Sequence, residues 1–167
     1  PQEHYFDVLD AETKNAVMAA SRVLAGLGAT IEQVSIPMLD NVAAISNTIM
    51  LSEAAEVHLE HMRDQGDQFD PAVRDRLEPG TIIPAVQYVR AQRARSLYSE
   101  QVDRAMATVD VLLAPTCPIG APRIGDATVT VAGRTESKNS MLSRLTRPWN
   151  LYGGPAISVP CGLTSDR

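Results

Sequence analysis

Val111-Leu-Leu-Ala-Pro-Thr-Cys-Pro118 and, further along, Arg147-Pro-Trp-Asn-Leu-Tyr-Gly-Gly-Pro-Ala-Ile-Ser-Val-Pro-Cys-Gly162 are the stretches that decide the fold. Each carries a short apolar run stopped by proline, the pattern of a buried strand that delivers a loop at one edge of a sheet. Val109 to Ala114 is nearly continuous apolar sequence and predicts a central strand covered on both faces, ended by Pro115. In the second stretch Gly153-Gly154-Pro155 reads as a tight turn before a strand, since no phosphate-binding or dinucleotide fingerprint surrounds it. Ser158 falls mid-strand and outside any G-x-S-x-G elbow, so it is not nominated as a nucleophile.

Upstream, helices and strands alternate in an α/β rhythm. Asp10 reads as an N-cap, followed by Ala16, Val17, Ala20, Val23, Leu24 and Leu27 at helical spacing and a stop at Gly26-Leu-Gly28. Thr30 to Ile36 then suits an edge strand closed by Pro37. Asn41 to Arg63 predicts a long helix with Val42, Ile45, Ile49, Met50, Val57 and Met62 inward and Glu53, Glu56 and Glu60 outward. Pro71 to Leu77 predicts a short helix stopped at Pro79-Gly80. A second long helix is expected from Pro84 to Thr108, with Val86, Val89, Leu97, Val102, Ala105 and Met106 facing the core and arginines placed to pair with Glu100 and Asp103. Thr128 to Ala132 with Gly133 predicts a peripheral hairpin, and Ser140 to Leu145 a short helix.

At 167 residues, 44% of them hydrophobic, the chain is long enough for one domain with a core. Fifteen basic against twenty acidic residues give a net charge of -5, which offers no field to recruit nucleic acid or an anionic membrane; neither is expected as a partner. No apolar run approaches the roughly 20 residues that span a bilayer, and the first residues lack the pattern of a secretory signal, so a cytoplasmic location is expected.

The residues that could carry chemistry are few. Cys117 and Cys161 form no zinc pattern and read as buried small hydrophobes beside turns. His58 and His61, with Glu56 and Glu60 nearby, sit three apart on the Asn41 helix, but no H-E-x-x-H accompanies them; a solvated helix face is expected and no metal. Arg74 and Arg76 precede the Pro79-Gly80 stop, where an arginine could hold a substrate carboxylate through its fork of donors; surface or structural pairing is the bland alternative.

Taken together, Pro115-Thr116, Asn150, Gly153, Pro155 and Ser158 to Gly162 resemble the C-terminal part of the amidase signature family. Leu27-Gly-Ala29 before the strand ending at Pro37 is similar to that family's helix, turn and strand. So is the run of Arg76, Gly80, Tyr88, Ala91 and Arg95 into Val109-Asp-Val-Leu-Leu-Ala-Pro-Thr116, and the likeness covers nearly the whole chain. It implies an α/β fold, a partial mixed sheet flanked by helices, with residues 1–167 as the C-terminal segment of a single amidase domain. By resemblance, Leu145 to Asn150 would line the acyl side of a substrate pocket with Thr146 and Trp149 as contacts, while Arg76 is the third candidate. Packing and turn formation are the alternative roles, and Asn150 is expected to brace loop backbone.

The family cleaves or transfers amides with a Ser, cis-Ser, Lys triad beside a Gly- and Ser-rich loop, which lie earlier in its chains. No catalytic residue is therefore expected within this chain, and neither Lys14 nor Lys138 has the context of the catalytic lysine. The resemblance implies an amidohydrolase acting on a small-molecule carboxamide, with no cofactor, in which this segment shapes the pocket and is inactive alone. The runner-up is the glutamine-hydrolysing component of glutamyl-tRNA or aspartyl-tRNA amidotransferase. Against it stand a short span between Gly80 and Ala91-Gln92 and Ser143 where that component usually has an acidic residue. A non-enzymatic interaction module is the third reading. Both ends are expected to be cut, leaving an apolar edge that would drive homo-oligomerisation or pairing with a missing N-terminal half.

Overall fold

The computed structural model describes residues 1–165. Asp10 caps α1 (Ala11–Gly26), its carboxylate accepting from the backbone N–H groups of Glu12 at 2.9 Å and Thr13 at 3.3 Å. A turn of 3-10 helix at Leu39–Asn41 leads into α2 (Val42–Gln65), and a further turn, Gly66–Gln68, precedes α3 (Pro71–Leu77). Asp70 caps α3 and Pro71 starts it, where a missing N–H costs nothing. The stop expected at Pro79-Gly80 is a tightening into 3-10 helix over Glu78–Ile82, followed by α4 (Ala85–Met106).

The hairpin forms as β1 (Thr128–Val131) and β2 (Arg134–Ser137), antiparallel with Val129 opposite Glu136 and Thr130 opposite Thr135. Ala132 and Gly133 supply the two positive φ angles, 49° and 75°, that a tight hairpin turn of this hand requires. α5 (Lys138–Ser143) follows directly with Ser137 as its cap, and α6 (Arg147–Tyr152) ends at Gly153, whose φ of 81° lets the chain reverse.

The main core lies where α2, α4 and α6 meet the N-terminal segment. Tyr5, Ile36, Val42, Tyr98, Val102 and Leu145 are almost completely buried there, each apolar side chain contributing about 1.5–3 kcal/mol of transfer free energy. A second, smaller cluster of Val8, Val131 and Met141 holds the hairpin and α5 together. Gly80 sets how closely the 3-10 turn approaches α2: a Cβ there would sit 2.1 Å from the carbonyl oxygen of Leu51 and 2.7 Å from the Cβ of Ala55.

The class is a mixed, helix-rich one with a small two-stranded sheet. The three segments expected as further strands, 30–36, 109–114 and the apolar run between Pro155 and Pro160, run without ladder hydrogen bonds among the described residues. A strand exists only with a partner, and no described segment runs in register beside them. Their side chains show the consequence: Val111 is 75% and Ile157 89% exposed, where a central strand would bury both. Along the helices, Val23, Leu24 and Leu27 after α1's buried Val17, and Val57, Val86, Val89 and Leu97 on α2 and α4, are likewise uncovered although the periodicity faced them inward. Apolar spacing marks a face to be covered, and among the described residues nothing covers these.

Candidate functional site

α6 is positioned from two sides. Arg95 on α4 donates from Nε to the carbonyl oxygen of Leu151 at 2.8 Å, satisfying an acceptor in α6's last turn. On the other side, the ring of Trp149 stacks on Tyr5. Trp149 thus lies half-buried against the main core, and Thr146, also half-buried, donates its hydroxyl to the carbonyl oxygen of Ser143 at 3.2 Å. Arg147 between them donates from Nε to the hydroxyl of Ser143 at 3.1 Å. Burial lowers the Arg147 pKa from its ordinary value, and the nearby charge of Arg76 lowers it further.

Arg76 itself is exposed on α3, its guanidinium resting against the sulfur of Met50. The fold therefore brings Arg76 within electrostatic reach of Arg147, next in sequence to Thr146, while Trp149 is engaged in packing. Ser143 occupies the centre of this group through its hydroxyl, which also donates to the carbonyl of Asn139 at 2.6 Å. Two arginines and two hydroxyls of this kind suit a polar or anionic group, since guanidinium donors need no proton transfer to bind it.

At the other end of the extended segments, the hydroxyls of Thr116 and Ser158 lie 3.2 Å apart, so the two stretches quoted first do converge in space. Cys117 is half-buried, and burial pushes its thiol up, which disfavours a reactive thiolate. Cys161 is exposed rather than buried, because its segment lacks the sheet neighbour the sequence pattern requires. His58 and His61 both meet the ring of Phe69 edge-on, at 5.9 Å and 6.3 Å, and no group of metal-ligating side chains occurs among the described residues. No helix is long and apolar enough to cross a membrane among the described residues.

Sequence reasoning misses four participants. Tyr5 gives no periodic signal because it sits in an irregular N-terminal turn. Arg95 stands out in the sequence only as part of the matching pattern, yet it anchors α6. Arg144 and His4 come together from opposite ends of the chain, with His4 Nε2 3.4 Å from the carbonyl oxygen of Arg144, a proximity no local pattern carries.

The family model described as Amidase matches residues 1–167. An amidase of Pseudomonas putida is 35% identical over 167 residues, covering 99% of this chain and 36% of that protein. AtzE, a component of the 1-carboxybiuret hydrolase of Pseudomonas sp. (strain ADP), is 34% identical over 117 residues, covering 70% of this chain and 26% of that one. Among solved structures, a crystal structure of an amidase superposes with a TM-score of 0.85 at 27% identity, covering 92% of this chain and 35% of that chain. The chain thus spans about a third of the length of relatives that match it from end to end. On the match along its whole length and the shared fold, this chain belongs to the amidase family.

Proposed function

We propose that residues 1–167 form the C-terminal, pocket-wall portion of an amidohydrolase that cleaves the carbon–nitrogen bond of a small carboxamide. In this reading a serine outside these residues takes the acyl group and passes it to water, with a lysine acting as base through a cis-Ser. Thr146, Trp149 and Arg76 contribute from this chain: the first two border the acyl group and the third holds a polar or carboxylate end. The family match along residues 1–167 carries the proposal. Support also comes from the lysines: Lys14 is exposed on α1, Lys138 starts α5, and neither hydrogen-bonds a serine among the described residues. The uncovered apolar side chains of 109–114 and 156–161 are then the surface on which the rest of an amidase domain packs, and these residues alone are inactive.

The amidotransferase reading keeps a specific observation in its favour. The glutamyl-tRNA(Gln) amidotransferase chain of the A type from Halothermothrix orenii is 30% identical over 190 residues. That alignment is longer than this chain and so requires gaps, whereas the alignment to the Pseudomonas putida amidase runs over 167 positions. Ser143, where that component usually has an acidic residue, also stands against this reading. A stand-alone amidase is the reading preferred.

The experiment is an ammonia-release assay of the intact protein that contains these residues, on a panel of aliphatic, aromatic and carboxylate-bearing amides and on glutamine. Release from simple amides supports the amidohydrolase, and release confined to glutamine supports the amidotransferase. No release from any of them, with the protein folded, leaves a non-enzymatic module. Arg76→Gln should raise KM for carboxylate-bearing amides and leave it unchanged for neutral ones.

A further inference from the structure

α6 spans six residues, too few to hold a helix by its own hydrogen bonds, so its place in the fold is set by what grips it. Thr146 at its start makes no side-chain cap bond. At its end the backbone N–H of Gly153 donates to the carbonyl of Trp149 at 2.9 Å, which leaves the carbonyl of Leu151 without a partner in the helix. Nε of Arg95 takes that carbonyl at 2.8 Å. One residue on, the hydroxyl of Tyr152 donates to the Asp103 carboxylate at 2.7 Å. Arg95 and Asp103 both belong to α4, just over two turns and so about 12 Å apart along its axis.

Two attachments this far apart fix the angle of α6 against α4 and not only its position. The apolar contacts do something else: Pro148 and Leu151 are buried beneath α6 and keep it docked on the core, but burial is non-directional and leaves the helix free to tilt. Arg95 is half-buried with no carboxylate within ion-pair distance among the described residues, so its guanidinium is not committed to an ion pair. It also rests against the turn that ends α6, its Nη2 lying 3.5 Å from where a Cβ on Gly153 would stand. Trp149 lies two residues before the held carbonyl, so a tilt of α6 displaces its indole directly, whereas Thr146 is tied separately to Ser143. The stack on Tyr5 tolerates such a tilt, because offset aromatic contacts are broad in geometry.

We propose that Arg95 is a positioning residue for the substrate pocket. By gripping the Leu151 carbonyl, with Tyr152 and Asp103 as the second attachment, it sets the angle at which α6 presents Trp149 to the acyl group. The inference rests on the amidase reading, in which Trp149 borders that group. Arg95 acts through α6 and not on the reacting atoms, so its loss should weaken binding and leave the chemical step alone.

Steady-state ammonia release by the intact protein, on the amide it turns over best, tests the proposal. Arg95→Gln should raise KM by about tenfold and change kcat by less than about threefold, and Tyr152→Phe should raise KM by about threefold. Arg95→Lys, which keeps a charged donor, should fall between Arg95→Gln and wild type. Arg104→Gln, on the exposed side of α4, should change nothing. A purely structural role gives another pattern: a smaller active fraction lowers kcat and leaves KM where it was. An unmoved KM in Arg95→Gln, whatever kcat does, overturns the proposal, as does an unmoved KM in Tyr152→Phe where Arg95→Gln does not fold. No release from any amide or from glutamine sinks the amidase reading and this inference with it. Release confined to glutamine sinks the stand-alone amidase only, and the same KM comparison, made on glutamine, then decides the role of Arg95.

Discussion

The rings of Tyr5 and Trp149 stack with centroids 5.8 Å apart and planes inclined by 27°. The contact joins the N-terminal turn to α6, 144 residues later by the numbering, and covers the side of Trp149 that faces the core. Tyr5 is fully buried, so the stack is a packing contact first and a pocket element second. Trp149→Ala should cost about 2–3 kcal/mol in urea unfolding, at the low end for aromatic truncation because Trp149 is only half-buried. Trp149→Phe keeps an offset stack and should cost under about 1.5 kcal/mol. Equal losses for both would show that the indole N–H, rather than the stack, holds α6.

Gly80 is a harder constraint. A methyl group at this position would press on the carbonyl oxygen of Leu51 and the Cβ of Ala55, which belong to α2 and cannot rotate away. Gly80→Ala should therefore destabilise by about 3 kcal/mol or more, by forcing the 3-10 turn off α2. Gly26→Ala, with open space around it, should fall within about 1 kcal/mol of wild type and serves as control in the same thermal melts.

The helices α1 to α4 are legible because their signals are local, with Asp10 capping α1 and Pro71 starting α3, whereas α6, which ends at Gly153, is not among the expected helices: its sequence reads only as the approach to a tight turn. The hairpin is legible through its turn. The further strands are recognisable as apolar extended sequence, but pairing depends on a neighbour that local sequence does not name, and 109–114 finds none among the described residues. Thr146 and Trp149 stand out by resemblance to the family rather than by pattern. The convergence of His4 with Arg144 depends on a contact 140 residues apart, which a single sequence leaves invisible.

Ala132 is the one residue in the hairpin turn whose identity opposes its geometry. Its φ of 49° lies in the left-handed region, where the Cβ meets the following carbonyl and costs about 1 kcal/mol or more. Asparagine tolerates that region far better and leads many turns of this kind. Ala132→Asn should stabilise the protein by about 0.5–1 kcal/mol, visible as a raised Tm with the urea slope unchanged. A lowered Tm would mean that the turn is not held in the left-handed region in solution.

His4 gives the fold a pH dependence whose sign is fixed by its surroundings. Burial lowers its pKa below the ordinary 6.5 and the charge of Arg144 lowers it further, while the exposed Asp40, 3.7 Å from Nδ1, opposes them weakly. Above pH 6.5 both folded and unfolded chains carry a neutral imidazole and the contribution is constant. As pH falls below 6.5 the unfolded chain takes up the proton first, so stability declines until the folded pKa is reached. Urea unfolding between about pH 7.5 and about pH 5.5 should show this decline in the wild type and a flatter profile in His4→Asn. Asparagine is chosen because the φ of 68° at this position demands a residue that accepts the left-handed region. Asp40→Asn removes the opposing charge and should steepen the decline. Identical slopes for the wild type and His4→Asn would assign the pH dependence to the carboxylates and not to this buried imidazole.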